Sequence, residues 1–271
     1  MRRRRTIFTE GVDFMKFPRF FLLVLSVAGL LGLCVENAEA RIGDRRATRC
    51  VPSYSVCYGP AVSLLAKDSL VGWTSPGGGS QRGGWSVVDG ILHLQGRGGD
   101  IVTERQFENF VLDFEWTIAK GGNSGIKYRY QKFDGKGWLG LEYQVLDDFA
   151  SREGTNPKVA TASLYDVLPT NAQKSLHPHD QVNKGRIVVN GNRIEHYLNG
   201  KKVLSTVVGS EEWKAGIASG KFKDIEGFGE NRFGHIMVQD HGSEVWFYKI
   251  TIREIRSQPS VRKPVLRIRC R

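Results

Sequence analysis

Glu142 and Gln144 lie two residues apart in the run Leu141-Glu-Tyr-Gln-Val-Leu, whose alternation puts both side chains on one face of a strand. Asp147 and Asp148 follow at the end of that strand. Arg129 sits in a second alternating run, Gly125-Ile-Lys-Tyr-Arg-Tyr, which places it beside Lys127 and puts Ile126, Tyr128 and Tyr130 on the other face. Farther along, Gln239 and Asp240 precede His241. Carboxylates, guanidinium and imidazole are what proton-transfer chemistry needs: a base, a cation for a developing oxyanion and an acid for the leaving group. Glu142, Asp147, Asp240 and His241 are also ligand types that suit a divalent cation. The chain has no HExxH-like spacing, so metal ligands would have to converge from separate strands. Trp138, in the Gly-rich stretch 135–140, either offers a ring for a sugar to stack on or packs against a sheet edge.

The elements that must position these groups read as strands. Residues 85–94 form two short apolar runs around Asp89-Gly90, a strong two-residue hairpin signal. Residues 110–118 alternate with period two from Phe110 to Trp116, as a half-buried strand does. Residues 186–190, 193–198 and 202–207 predict a meander with turns at Asn190-Gly191 and Asn199-Gly200. Residues 234–240 and 245–252 are the last two strands, and only 210–218 carries a helical period. Strands at such spacing, separated by Gly and Asn turns, predict an all-β fold, a sandwich or barrel.

The order of these words resembles one family. Gly72-Trp73, Trp85-Ser-Val-Val-Asp-Gly-Ile-Leu, Phe110-Val-Leu-Asp-Phe-Glu-Trp and Asn123-Ser-Gly-Ile-Lys-Tyr-Arg are followed by Leu141-Glu-Tyr-Gln-Val-Leu-Asp-Asp. Ser163-Leu-Tyr-Asp, His196-Tyr-Leu-Asn-Gly and Ile236-Met-Val-Gln-Asp-His-Gly complete the series, which is similar to the 3-keto-disaccharide hydrolases. One departure is Val182-Asn183, where many members carry Trp-Asn. The resemblance implies a two-sheet antiparallel β-sandwich, a concanavalin A-like or laminin-G-like jelly roll. It also implies cleavage of glycosides whose glucose unit is a ketone at C3. That ketone acidifies the C2 proton, so a base can remove it and the C1 substituent can leave; water then adds to the enone. By residue type and position in these words, Glu142 is the expected base or metal-holding carboxylate, Arg129 the oxyanion partner, His241 the acid/base and Asp147 a second carboxylate. Asn123, Gln144, Tyr165, His196, Gln239 and Trp138 are the expected substrate contacts. Each has a plain structural alternative: Arg129 can pair with Glu142 or Asp113, Asp147-Asp148 can shape a turn, His241-Gly242 can be a hairpin bend, and His196 can point into the core.

The ends of the chain bear on location and partners. Arg2–Arg5, Lys16 and Arg19 precede a fourteen-residue uncharged run at 20–33, too short to span a bilayer comfortably, and Ala38-Glu39-Ala40 is a small-x-small cleavage site. The expected organisation is a signal peptide at 1–40 cleaved after Ala40, a polar flexible linker at 41–63, the sandwich at 64–255 and a basic tail at 256–271. A retained amino-terminal anchor is the alternative reading of the first segment. The protein is then periplasmic or extracellular. The formal charge of +11 lies in the ends, because residues 64–255 hold 23 Lys plus Arg and 23 Asp plus Glu. A nucleic-acid partner is therefore not expected, since phosphate binding needs cations massed on a folded face. The basic tail could instead touch anionic lipid or cell-wall polymer. Cys50 and Cys57 could close a small loop in an oxidising compartment, leaving Cys270 unpaired. A Ser-His-Asp hydrolase with a G-x-S-x-G elbow and a P-loop enzyme are both disfavoured by the absence of their motifs. A non-catalytic carbohydrate-binding module and a cell-surface adhesive domain remain competing readings, because jelly rolls host both.

Overall fold

A computed structural model describes residues 54–80 and 83–259. In chain order the strands are β1 (Tyr54–Tyr58), β2 (Val62–Ser63), β3 (Trp73–Thr74), β4 (Trp85–Val88), β5 (Ile91–Leu94), β6 (Ile101–Phe107) and β7 (Phe110–Ile118). They continue as β8 (Asn123–Phe133), β9 (Gly137–Leu146), β10 (Asn183–Asn190), β11 (Arg193–Leu198), β12 (Lys201–Val207), β13 (Gly234–Val238) and β14 (Val245–Pro259). One sheet runs β12-β11-β10-β7-β14-β5-β4, with β1 and β2 also paired to β14; the other runs β3-β6-β13-β8-β9. The strand pairings are antiparallel, so the architecture is the expected two-sheet β-sandwich.

The core follows from the period-two pattern. Phe110, Leu112, Phe114 and Trp116 of β7 meet Ile126, Tyr128, Leu141 and Tyr143 of the other sheet, and all eight are buried. Each such side chain contributes about 1.5–3 kcal/mol by leaving water. Asp89 and Gly90 take φ +50° and +78°, and Asn199 and Gly200 take +48° and +82°, the backbone that a two-residue hairpin needs. Helix α1 (Glu211–Ala218) begins where its cap predicts, the Ser210 side chain accepting from the Trp213 N–H.

Four expectations change. The stretch read as linker contributes β1 and β2, and β14 continues past Ile255, because residues 54–58 pair with 255–259 and supply a hydrogen-bonded edge. The turn after β10 centres on Gly191-Asn192, since Asn190 still pairs with Arg193. In β8 the register shifts between Tyr128 and Gln131, with Arg129 at φ +50°. That bulge turns Arg129 away from Lys127 and brings Tyr130 to the outer face instead. Val182 is exposed while Asn183 is buried, its Oδ1 accepting from the His177 N–H. The segment read as a signal, Cys50, Cys270 and the tail beyond Pro259 lie outside the described residues.

His196 corrects a further expectation. It is wholly buried between the sheets, so it is no groove ligand. Its Nδ1–H donates to the Ala162 carbonyl at 3.0 Å, and its Nε2 accepts from the Tyr128 hydroxyl at 2.9 Å. Acceptance at Nε2 requires the neutral ring, and burial pushes its pKa down to about 4. A depressed histidine pKa means that the unfolded chain binds the proton more tightly, so stability is lost as pH falls from about 6.5 towards 4. The loss is about 3 kcal/mol at one pKa unit per 1.36 kcal/mol. Chemical denaturation at pH 7 and pH 4 should show it in the wild type, and His196→Gln should lose that share of the pH dependence.

Candidate active site on the outer face of the five-stranded sheet

One cross-strand row organises the site. Val102 pairs with Met237, Met237 with Lys127, and Lys127 with Glu142, so residues from β6, β13, β8 and β9 share the face turned away from the core. Glu142 is 5% exposed although it belongs to that outer face. The next row explains how it fits. Gly125 pairs with Gln144 beside it, and a Cβ at Gly125 would lie 2.3 Å from Glu142 Oε1. The missing side chain is therefore the seat of the carboxylate. Gln144, oriented to donate to Glu142 Oε1 at 3.3 Å, holds it from the side.

Burial raises the Glu142 pKa, while the cations Lys127 and Lys221 oppose the shift. Lys127 Nζ stands 3.7 Å from Glu142 Oε2. Lys221 arrives from the loop after α1, with its ammonium 4.2 Å from the Tyr165 ring centroid. Its pKa is lowered by burial, against the pull of Glu142. Asp100 just before β6 is also raised by burial, and the Lys127 charge acts on it as well. The site thus holds two carboxyls that resist ionisation, a partly buried amine at Lys127 and a more exposed one at Lys221.

Tyr165 is placed by an irregular segment that extends the sheet beyond β9. The Tyr165 N–H donates to the Glu142 carbonyl at 3.0 Å, and the Ala162 N–H to the Gln144 carbonyl at 2.9 Å. Ala162 and Asp166 take φ +65° and +58°, unusual for residues with a side chain. The bond from His196 fixes the first of these, and the Asp166 side chain accepts from the Lys221 N–H at 2.6 Å, which fixes the second. Tyr165 and Lys221 are therefore positioned as a pair.

The structure gathers Glu142, Gln144, Tyr165 and Asn123 in one place. Asn123 donates to Glu153 Oε2 at 2.8 Å and lies 3.2 Å from the Gln144 amide. Gln239 joins through its backbone, donating to the Gly125 carbonyl at 2.9 Å. Trp138 lies on the same face, farther along β9. His241 is exposed at the rim, beside the loop 97–99 and near enough to Asp100 for its charge to act on that carboxyl.

Two expected catalytic residues are elsewhere. Arg129 is buried and spends its guanidinium on the Gly229 and Gly191 carbonyls, at 2.8 and 2.5 Å. Asp147 is buried in the turn after β9, accepting from the Gly121 and Phe149 N–H groups. Asp240 likewise accepts from Gly98 and Gly99, so the four side chains weighed as metal ligands do not converge. Among the described residues no other such His/Cys/Asp/Glu group occurs. Lys127, Lys221, Asp100 and Tyr130 were not singled out as site residues from sequence. The pairing of Lys127 with Glu142 was available from strand alternation, whereas Lys221 and Asp100 sit in aperiodic segments.

The raised Glu142 pKa has a stability consequence. The folded state binds its proton more tightly than the unfolded chain, so stability is lost as pH rises above the ordinary glutamate value and through the raised one. Glu142→Gln is therefore expected to melt above wild type at pH 8 and close to it at pH 4. A Glu142→Gln protein that melts lower at both pH values would show that the ion pair with Lys127 outweighs desolvation.

Residues 60–253 match the 3-keto-alpha-glucoside-1,2-lyase-like domain family. A 3-keto-disaccharide hydrolase of Bacteroides thetaiotaomicron is 28% identical over 290 residues, covering 88% of this chain and 99% of that protein. Among solved structures, a protein of Parabacteroides distasonis assigned as a glycosyl hydrolase is 31% identical with a TM-score of 0.65, over 72% of this chain and 94% of that one. A second from the same organism is 26% identical with a TM-score of 0.55, over 72% and 100%. With the family match spanning well over half its length, the chain belongs to the 3-keto-alpha-glucoside-1,2-lyase-like family.

Proposed function

We propose that this protein cleaves the glycosidic bond of 3-keto-glucosides, with Glu142 as the base that removes the C2 proton. The carrying observation is a carboxylate buried on an outer sheet face, its pKa raised towards that of a weak acid and two amines beside it. A base whose pKa lies nearer the working pH takes a carbon-bound proton more readily. Removal of the C2 proton forms an enolate at C3, and Lys127 and Lys221 are the cations available to its oxygen. The enolate then re-forms the ketone as the C1–C2 double bond appears and the C1 oxygen departs. Asp100, whose pKa burial raises, is the carboxyl available to give that oxygen its proton. Water added at C1, with a proton returned to C2, completes a net hydrolysis.

A second reading is supported by the same two carboxyls. Glu142 and Asp100 on one face could act as the acid and base of ordinary glycoside hydrolysis, which needs no ketone. The basic segment, apolar run and small-x-small site before Arg41 support export to the periplasm or beyond.

Both readings meet one experiment. The full chain, expressed for export and expected to be recovered with Arg41 at its amino terminus, is assayed for sugar release. The substrates are 3-keto-trehalose, a 3-keto-β-glucoside and their unoxidised parents. Turnover confined to the keto compounds is expected, falling about 100-fold or more in Glu142→Gln. Gly125→Ala should fall similarly, because its methyl displaces the carboxylate from its seat. Equal turnover of the unoxidised sugars would establish the second reading, and saturable binding without turnover would indicate a carbohydrate-binding module.

A further inference from the structure

Tyr130, Val102 and Met237 form an apolar patch with Trp138, separate from the core between the sheets. The row that carries Glu142 also carries Val102 and Met237, so the patch and the carboxylate share the outer face. Trp138 stacks on Tyr130 with ring centroids 5.6 Å apart and planes 26° from parallel. The imidazole of His235 meets its edge at 5.9 Å. Beside Trp138 runs an open groove of about 430 Å³, lined also by Thr74, Ser75, Gly77 and Gly78. Gly77, at φ +85°, carries no side chain that would enter it; the position of an added Cβ is 3.6 Å from the indole Nε1.

The patch is continuous with the carboxylate site. Trp138 and Glu142 are four residues apart on the same face of β9, which is about 13 Å at 3.3 Å per residue. Tyr130 lies between them, its ring under Trp138 and the charges of Asp100 and Glu142 both acting on its hydroxyl. Gly140, also between them, makes room for Tyr130, since an added Cβ would lie 2.9 Å from the Tyr130 Cα.

We propose that the Trp138 platform is the subsite for the leaving group of the substrate, and that it selects C1 substituents which carry a ring with an apolar face. The inference rests on the reading of Glu142 above. With its C1 substituent directed along β9, an oxidised glucose ring over Glu142 would send a pyranose or an aromatic ring towards the exposed part of the indole. A methyl substituent reaches neither Trp138 nor His235.

The test uses the full chain with Trp138→Leu, which keeps an apolar cover over Tyr130, and Trp138→Phe, which keeps a ring. Turnover is compared for 3-keto forms of methyl β-glucoside, phenyl β-glucoside and cellobiose. Calorimetry measures binding of the three unoxidised parents. The leucine variant is expected to lose about tenfold in kcat/KM and in affinity for the phenyl and cellobiose compounds, an aromatic contact of ordinary strength. Its values for the methyl compounds should stay within about twofold, and phenylalanine should restore most of the loss. A loss confined to cellobiose assigns a sugar leaving group, and one confined to phenyl assigns an aromatic one. Equal losses on the methyl compounds, or no loss on any, would overturn the subsite. If the wild type turns over no keto compound, the reading of Glu142 fails, and the binding comparison still decides the platform by the same criteria.

Discussion

A carboxylate held out of water on the solvent side of a β-sheet is costly, and much of the surrounding structure follows from keeping Glu142 there. Room comes from Gly125, the one position in the neighbouring strand where a side chain would collide with Oε1. Partial compensation comes from Lys127 at 3.7 Å and from Lys221. The net effect remains a raised pKa, so desolvation wins over the two cations. For a general base this balance is useful, because full neutralisation by an ion pair would leave a weak base.

The two amines are delivered by different means. Lys127 stands on β8, fixed by pairing with its neighbours. Lys221 hangs from the loop after α1, and its position depends on Asp166, on Ala162 and finally on His196 in the opposite sheet. A buried neutral histidine thus supports the geometry of the site from the far side of the core. This chain of contacts ties His196-Tyr-Leu-Asn-Gly to the segment that carries Ser163-Leu-Tyr-Asp, though His196 lies too deep to touch a substrate.

Much of this was legible before the fold was known. Period-two alternation located β7, β8 and β9 and placed Glu142 beside Gln144, because side-chain direction in a regular strand is fixed by parity. Parity failed where a bulge intervened: one extra residue at Arg129 moved that guanidinium to backbone carbonyls and brought Tyr130 outward. Nothing in Lys127-Tyr-Arg-Tyr announces the bulge, since positive φ at arginine is set by tertiary contacts and not by local preference. Asp147 failed for another reason. A carboxylate at a strand end satisfies free N–H groups as readily as it serves chemistry, and composition alone does not separate the two uses. Lys221 and Asp100 lie in aperiodic stretches, where only three-dimensional proximity reveals their bearing on Glu142.

The central claim is that bond cleavage begins with transfer of the C2 proton to Glu142. Its most direct test is a 3-keto-glucoside carrying deuterium at C2, cleaved in ordinary water while rate and label are followed by NMR. The account predicts slower cleavage than for the protiated compound and loss of the deuterium to water, faster than exchange from the free product. Cleavage at an unchanged rate with the deuterium retained at C2 would contradict it and point to direct displacement at C1.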